Sequence, residues 1–286
     1  MSRIHPTAII EEGAQVADDV VLGPNAFVGS KVVVGPGCRL DHGAIIQGRT
    51  TLGAGNHLFP YSVLGSVPQD KKYEGEPARL VIGDRNAIRE HVTLHIGTTH
   101  GGGVTVIGSD NLIMAGAHVG HDCQVGNHCV LANHTDLAGH VVVEDRVILG
   151  GQTGVHQFVR IGAHVITSGG SKVAQDVPPY MVTQGYPARL RGINHVGLQR
   201  NGFTDATIRI LRRAYRAVFL NDEPRFELVL AQAREEFSAS HEVGKLLDFI
   251  EVAMRSGRGT LRHGDRKLNG ESSVDESEGP DKEVGA

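Results

Sequence analysis

The sequence contains no tryptophan, and only 5% of its 286 residues are aromatic. Large rings ordinarily fill much of a globular core, so their scarcity argues against a conventional interior and for something narrow and repetitive. Three cysteines, Cys38, Cys123 and Cys129, are too few and too odd in number for a disulfide framework and fit a reducing compartment. No stretch approaches the roughly 18 apolar residues needed to span a bilayer, and the N-terminal region has no basic segment followed by an apolar run. The expectation is a cytoplasmic protein with no integral membrane association. Charge of one sign is not in excess either: a formal net charge of −4 gives no general attraction to nucleic acid.

What is abundant is glycine, at 38 residues, together with a period. Aliphatic side chains fall at Ile4, Ile10, Val16, Leu22, Val28, Val34, Leu40, Ile46, Leu52, Leu58 and Leu64, every sixth position. The pattern returns at Ile82, Ile88 and Leu94, runs from Ile107 to Ile161, skips at Thr167 and recurs at Val173. A helix needs a period of 3.6 and a half-buried strand a period of two, so neither explains six. Six is the mark of a parallel β-helix, in which each hexad supplies one short strand and one corner and three hexads close a triangular coil. Small residues beside the aliphatics, such as Gly23, Gly29 and Gly35, suit sharp corners.

The fold class expected is therefore mainly β: a hexapeptide-repeat solenoid over residues 1–187, then a small α-helical domain over 188–263. Residues 66–81 and 95–106 break phase with charged, proline and glycine residues and read as loops ejected from the coil, where function concentrates on a rigid scaffold. Paired prolines in "DVPPY" (176–180) are expected to end the solenoid, because proline donates nothing to a ladder. Beyond them, "TDATIRILRRAYRAVF" (204–219) aligns Ile208, Leu211, Tyr215 and Val218 behind a Thr204 cap. A helix over 242–254 aligns Val243, Leu246, Leu247, Ile250 and Met254, with a third between them at 225–237. Residues 264–286 are polar, acidic and nearly free of apolar side chains, and are expected to be disordered.

With 18 residues per coil, positions eighteen apart stack at about 4.8 Å, the strand spacing of a sheet. Asp122 then lies beneath His140, while His121, Gly139 and Gln157 share the adjoining column and His156 falls in the next. His128, His134 and His164 fall elsewhere on the coil and read as exposed surface. A histidine beside a carboxylate suits general-base catalysis, with Asp122 fixing the imidazole of His121 and Gly139 offering a backbone N–H to an oxyanion. The stacking offers no serine or cysteine as nucleophile, so direct transfer to an acceptor hydroxyl is favoured over an acyl-enzyme. A zinc site of the kind found in γ-class carbonic anhydrases, and a non-catalytic scaffold, are the alternatives from other classes.

The segments "NLIMAGAHVGHDCQVGNHCVLANHTDLAGHV", "GGQTGVHQFVRIGAHV", "QDVPPY", "VPQDKKYEGEP" and "GDRNAIREHVTLHIGT" resemble, in order, the UDP-N-acetylglucosamine O-acyltransferases of the hexapeptide-repeat superfamily. The resemblance covers about residues 4–262. It implies a homotrimer of left-handed β-helices, with clefts between subunits, that moves a (3R)-3-hydroxyacyl group from acyl carrier protein to the 3-hydroxyl of UDP-N-acetylglucosamine, opening lipid A synthesis. No metal or cofactor is implied. By the same resemblance His121 is the base, Asp122 its orienting carboxylate and Gly139 the oxyanion donor. Asp70, Lys72, His118, His140, His156, Gln157, Asn194 and Arg200 match substrate contacts. Asn201 stands where the family often has a second arginine. Gly169 matches an acyl-chain ruler, implying a chain nearer fourteen carbons than ten, although Pro187 departs from the pattern near the chain terminus. The resemblance also makes Arg209, Arg212, Arg213 and Arg216, with one nearby acid in Asp205, a docking patch for the acidic carrier protein. The related N-acyltransferase usually carries an extra N-terminal domain, whereas the hexads here begin at Ile4. A 3-amino sugar nucleotide remains an alternative acceptor.

Overall fold

The computed structural model describes residues 4–263 except Asp222 and Gly257; the tail at 264–286, expected to be disordered, lies outside the described residues. From Ile9 to Val173 the chain is a succession of short strands, most of two residues, separated by corners. They stack as three sheets of nine, eight and ten strands, parallel throughout except for one final pairing. Where the period is unbroken, the register steps by one coil: His118 pairs with Asp136, and Asp136 with Gly154. Val63 pairs with Thr93 across the first insertion, and Thr93 with His118 across the second. The additional residues are thus extruded without loss of phase, and Leu64, Leu94 and Val119 remain stacked.

That register builds the core. On one sheet Leu40, Leu58, Ile88, Ile113, Leu131 and Leu149 are each 0% exposed. Each such burial contributes about 1.5–3 kcal/mol, which is why the period repeats so strictly. Thr167 replaces the aliphatic at one step without leaving an unmet polar group: its hydroxyl accepts from the Gly150 N–H at 2.9 Å and lies 3.0 Å from that of Thr153. A second polar column runs through Asn56, Asn86 and Asn111. Asn86 Nδ2 donates to Asn56 Oδ1, Asn86 Oδ1 accepts from the Asn111 N–H, and Asn111 Oδ1 accepts from the Cys129 N–H.

Three expectations need correction. The extruded loops are shorter than the phase breaks suggested, because Val63–Ser66, Arg79–Ile82 and Val104–Ile107 are strands, leaving loops of 67–78 and 96–103. The paired prolines do not end the solenoid. Pro178 and Pro179 sit between strands, where a missing donor costs nothing, and Met181–Gly185 adds one more parallel strand beside Ile166–Thr167. Ala188–Ile193 then folds back antiparallel and covers that edge. Finally, Met254 is 38% exposed, although Val243, Leu246, Leu247 and Ile250 are buried as expected.

Four α-helices follow among the described residues: α1 (His195–Arg200), α2 (Asp205–Phe219), α3 (Phe226–Glu236) and α4 (His241–Arg255). The Thr204 hydroxyl caps α2 by accepting from the Thr207 N–H, and Ile208, Leu211, Tyr215 and Val218 are buried. α1 is too short to show a period in the sequence. After α4 the chain returns to the solenoid, where the Leu261 N–H donates to the Asp176 carbonyl.

Candidate active site

At one corner of the prism, successive coils place Asp122, His140 and Phe158 in left-handed backbone conformation, with φ of 59°, 62° and 66°. The three stack: the His140 ring lies flat on Phe158 at 4.4 Å, and His140 Nε2 is 3.9 Å from Asp122 Oδ2. His121, one residue before this column, meets His140 edge-on at 5.0 Å and bonds through Nδ1 to Asp122 Oδ2 at 2.8 Å. A Cβ on Gly139 would lie 2.6 Å from His121 Cε1 and Nε2, so the ring occupies space that only glycine leaves open.

The Asp122 side chain is 0% exposed, while that of His121 keeps 16%. Besides His121 the carboxylate accepts from the Thr98 N–H at 2.8 Å and from the Thr98 hydroxyl at 2.6 Å. A group accepting from these donors leaves Nδ1 of His121 as the protonated nitrogen and Nε2 as the free lone pair. His121, Asp122 and His140 each present a donor atom within 4.8 Å of the others, the one such cluster among the described residues. With Asp122 committed to three hydrogen bonds and His121 Nδ1 to Asp122, the set matches a proton relay better than the coordination shell of zinc.

Both extruded loops close on this corner. Asp70 in the first accepts from the Lys72 N–H at 2.9 Å and lies 3.3 Å from His100 Nε2 in the second. The Lys72 N–H, followed by the His100 ring, holds the Asp70 carboxyl below its ordinary range. A cavity of ≈530 Å³ is lined by Asp70, Lys72, His100, His121, His140 and Gln157, among others. Beside it a smaller one of ≈220 Å³, mostly apolar, is lined by His118, Leu137, Gly154, His156 and Lys172. Neighbouring imidazoles are pushed toward the neutral form. Burial, then the nearby His118, brings His95 down to about 4, and burial also lowers His118 and His140.

The structure thus gathers Asp70, Lys72, His121, Asp122, Gly139, His140 and Gln157 at one corner, with His118 and His156 next to them. Asn194 and Arg200 are elsewhere. Asn194 is 7% exposed; its side chain caps α1 through the Gly197 N–H and donates to the His164 carbonyl, at a different corner of the prism. Arg200 is exposed in the last turn of α1, and Asn201 beside it accepts from Arg146. Gly169 is exposed, and an added Cβ would meet only the Gly151 backbone, at 3.2 Å. Arg209, Arg212, Arg213 and Arg216 are exposed on α2. The patch is less bare than its sequence suggested, because Arg213 pairs with Glu236 of α3 at 2.8 Å. His128 and His134 are exposed as expected, whereas His164 is half-buried against Tyr180 and Phe203. Thr98, Thr105, His95, His100 and Phe158 escaped the sequence reading, four of them because their approach to the corner depends on how much chain each insertion extrudes.

Comparison with known proteins gives the family. A model described as UDP N-acetylglucosamine O-acyltransferase, domain 2, matches residues 176–261, and one for bacterial transferase hexapeptide repeats matches 104–135. The acyl-[acyl-carrier-protein]–UDP-N-acetylglucosamine O-acyltransferase of Verminephrobacter eiseniae is 50% identical over 244 residues, 84% of this chain and 91% of that protein. The chain belongs to the UDP-N-acetylglucosamine O-acyltransferase family. The structure of LpxA from Acinetobacter baumannii matches with a TM-score of 0.87 at 40% identity, covering 91% of this chain and all (100%) of that one. The UDP-N-acetylglucosamine acyltransferase of Francisella novicida matches at 0.84 and 34%, covering 92% and 95%. The solenoid is accordingly the left-handed parallel β-helix of this family, and the protein is an acyltransferase.

Proposed function

We propose that the chain transfers a (3R)-3-hydroxyacyl group from acyl carrier protein to the glucosamine 3-hydroxyl of UDP-N-acetylglucosamine, the first step of lipid A synthesis. The observation that carries this reading is the Nδ1–Asp122 bond of His121, at 2.8 Å, which leaves Nε2 free beside the cavity lined by Asp70 and Lys72. The free Nε2 takes the proton of the sugar hydroxyl as its oxygen attacks the thioester carbonyl. Asp122 stabilises the imidazolium that forms. The N–H of Gly139, without an acceptor among the described residues, supports the developing oxyanion. Collapse of the tetrahedral intermediate releases the carrier thiolate, which takes the proton back from His121, so the enzyme is restored without metal or cofactor.

Substrate contacts fall to Asp70, Lys72, His118, His140, His156 and Gln157, while Asn194 and Arg200 hold the nucleotide from another corner of the prism. That division supports a homotrimer, in which one subunit's His121 corner and a neighbour's α1 share a cleft. Gly169 permits a long acyl chain, and the α2 arginines draw the acidic carrier protein at short range. The chain works in the cytoplasm; no described helix is long and apolar enough to cross a membrane. The test is purified His121→Ala, assayed with hydroxyacyl carrier protein and UDP-N-acetylglucosamine. A loss of about 10²–10⁴-fold in kcat with the fold intact is expected. A normal rate removes His121 from the chemistry.

A further inference from the structure

The loop at 96–103 does more than border the cavity. Thr98 is 0% exposed and gives Asp122 two of the three hydrogen bonds on its carboxylate, the N–H to Oδ1 and the hydroxyl to Oδ2. That hydroxyl is itself fixed, because it accepts from the Gly101 N–H at 3.2 Å and so is aimed at Asp122. On the other side, the Asp122 N–H donates to Thr105 Oγ1 at 2.8 Å. Gly97 and Gly101 let the loop close this far: a Cβ would stand 2.7 Å from Asp122 Oδ1 at Gly97, and 2.1 Å from the carboxylate at Gly101. The loop therefore wraps one named side chain, and that side chain touches His121 through the same oxygen that the Thr98 hydroxyl holds.

We propose that Thr98 is a positioning residue of the transfer reaction, holding Asp122 in the one rotamer in which Oδ2 meets His121 Nδ1. The proposal rests on His121 acting as the base. An ionised carboxylate with a single partner can swing about its Cβ–Cγ bond, whereas one anchored at both oxygens presents a fixed acceptor. Catalysis is sensitive to such fixing, since a misplacement of about 1 Å can cost 10²-fold. The other ionisable groups facing the pair are His140 from the next coil, His118 and His95 from the sheet, and Asp70 and His100 from the loops. His140 Nε2 stands 3.9 Å from the same Oδ2, and the Thr98 hydroxyl also caps the turn that carries His100, so the Asp122→Asn background is what separates an effect through the carboxylate from one through these neighbours.

The experiment compares Thr98→Val and Thr98→Ser in the full-length enzyme, with steady-state transfer measured from pH 5.5 to 9. Thr98→Val, which removes the hydroxyl at nearly constant shape, is expected to lower kcat by about 10- to 100-fold. KM for the sugar nucleotide should stay unchanged, so that the loss falls on kcat alone. Thr98→Ser keeps the hydroxyl and should stay within about threefold of the parent, a ratio small beside the loss from misplacement. In an Asp122→Asn background Thr98→Val should cost nothing further, because residues that act as a unit are not additive. If circular dichroism shows Thr98→Val unfolded, Thr98→Ala is read by the same criteria. A parental kcat in the hydroxyl-free variant overturns the assignment, as does Thr98→Ser losing as much as Thr98→Val, or a full second loss on top of Asp122→Asn. His121→Ala is run alongside: if it is inactive while Thr98→Val is normal, only the role of Thr98 falls, and if it is active, the base itself is misassigned.

Discussion

Replacing Gly139 by alanine tests how tightly the fold holds His121, the proposed base. The added methyl carbon stands 2.6 Å from both Cε1 and Nε2 of His121, where ordinary van der Waals contact is 3.4–4 Å. The backbone of Gly139 is outside the left-handed region, so the change adds no backbone strain, and the collision must be relieved by the ring. Restoring contact takes about 1 Å of movement, and His121 is tethered through Nδ1 to an Asp122 that Thr98 and Thr105 fix in turn. A displacement of that size costs on the order of 10²-fold in rate, or about 2.7 kcal/mol of barrier. Stability should change by less than about 1 kcal/mol, as for other glycine-to-alanine changes at compatible backbone. Initial rates with product weighed by mass spectrometry, beside urea unfolding followed by circular dichroism, separate the two effects. A Gly139→Ala enzyme with parental kcat would refute the placement of His121 against this corner.

Three other outcomes follow from the same coordinates. His95 is held near 4 by burial, below its ordinary 6.5. The unfolded chain therefore binds the proton first, so stability is full above about pH 6.5 and falls as the pH drops toward 4, by about 1–3 kcal/mol after solvent screening; His95→Gln should flatten that fall in urea midpoints. Asn86→Leu takes the side-chain partner from the Asn111 N–H and from the Gly108 carbonyl, while Asn56 Oδ1 keeps the Asn86 N–H; unfolding should become easier by about 1–3 kcal/mol, and an unchanged midpoint would contradict the ladder. Gly169→Met places a long side chain on an exposed column above Gly151; competition among carrier proteins of different chain length should shift toward the shorter acyl groups, and an unaltered preference removes Gly169 as the ruler.

The solenoid was legible because its physics is periodic. One aliphatic per six residues must face a narrow interior, and Leu40, Leu58, Ile88 and Ile113 declare that need one at a time. The same arithmetic stacked Asp122 beneath His140 and put Gly139 against His121, since no insertion intervenes between those coils. Thr204 and the stripe behind it announced α2 for a similarly local reason, a cap followed by a helical period.

What the sequence by itself determined was the coil, its register over uninterrupted stretches, and the pairing of an imidazole with its carboxylate. Only the tertiary structure decided which loop residues reach that pair. The twelve residues of 67–78 and the eight of 96–103 obey no period, so nothing in their spacing could say that Thr98 would bond both oxygens of Asp122 or that His100 would approach Asp70. The folded chain alone could also show Asn194 turned to a separate corner as the cap of a six-residue helix. A repeat reports only contacts that recur at its own interval, and the contacts that lock this site occur once.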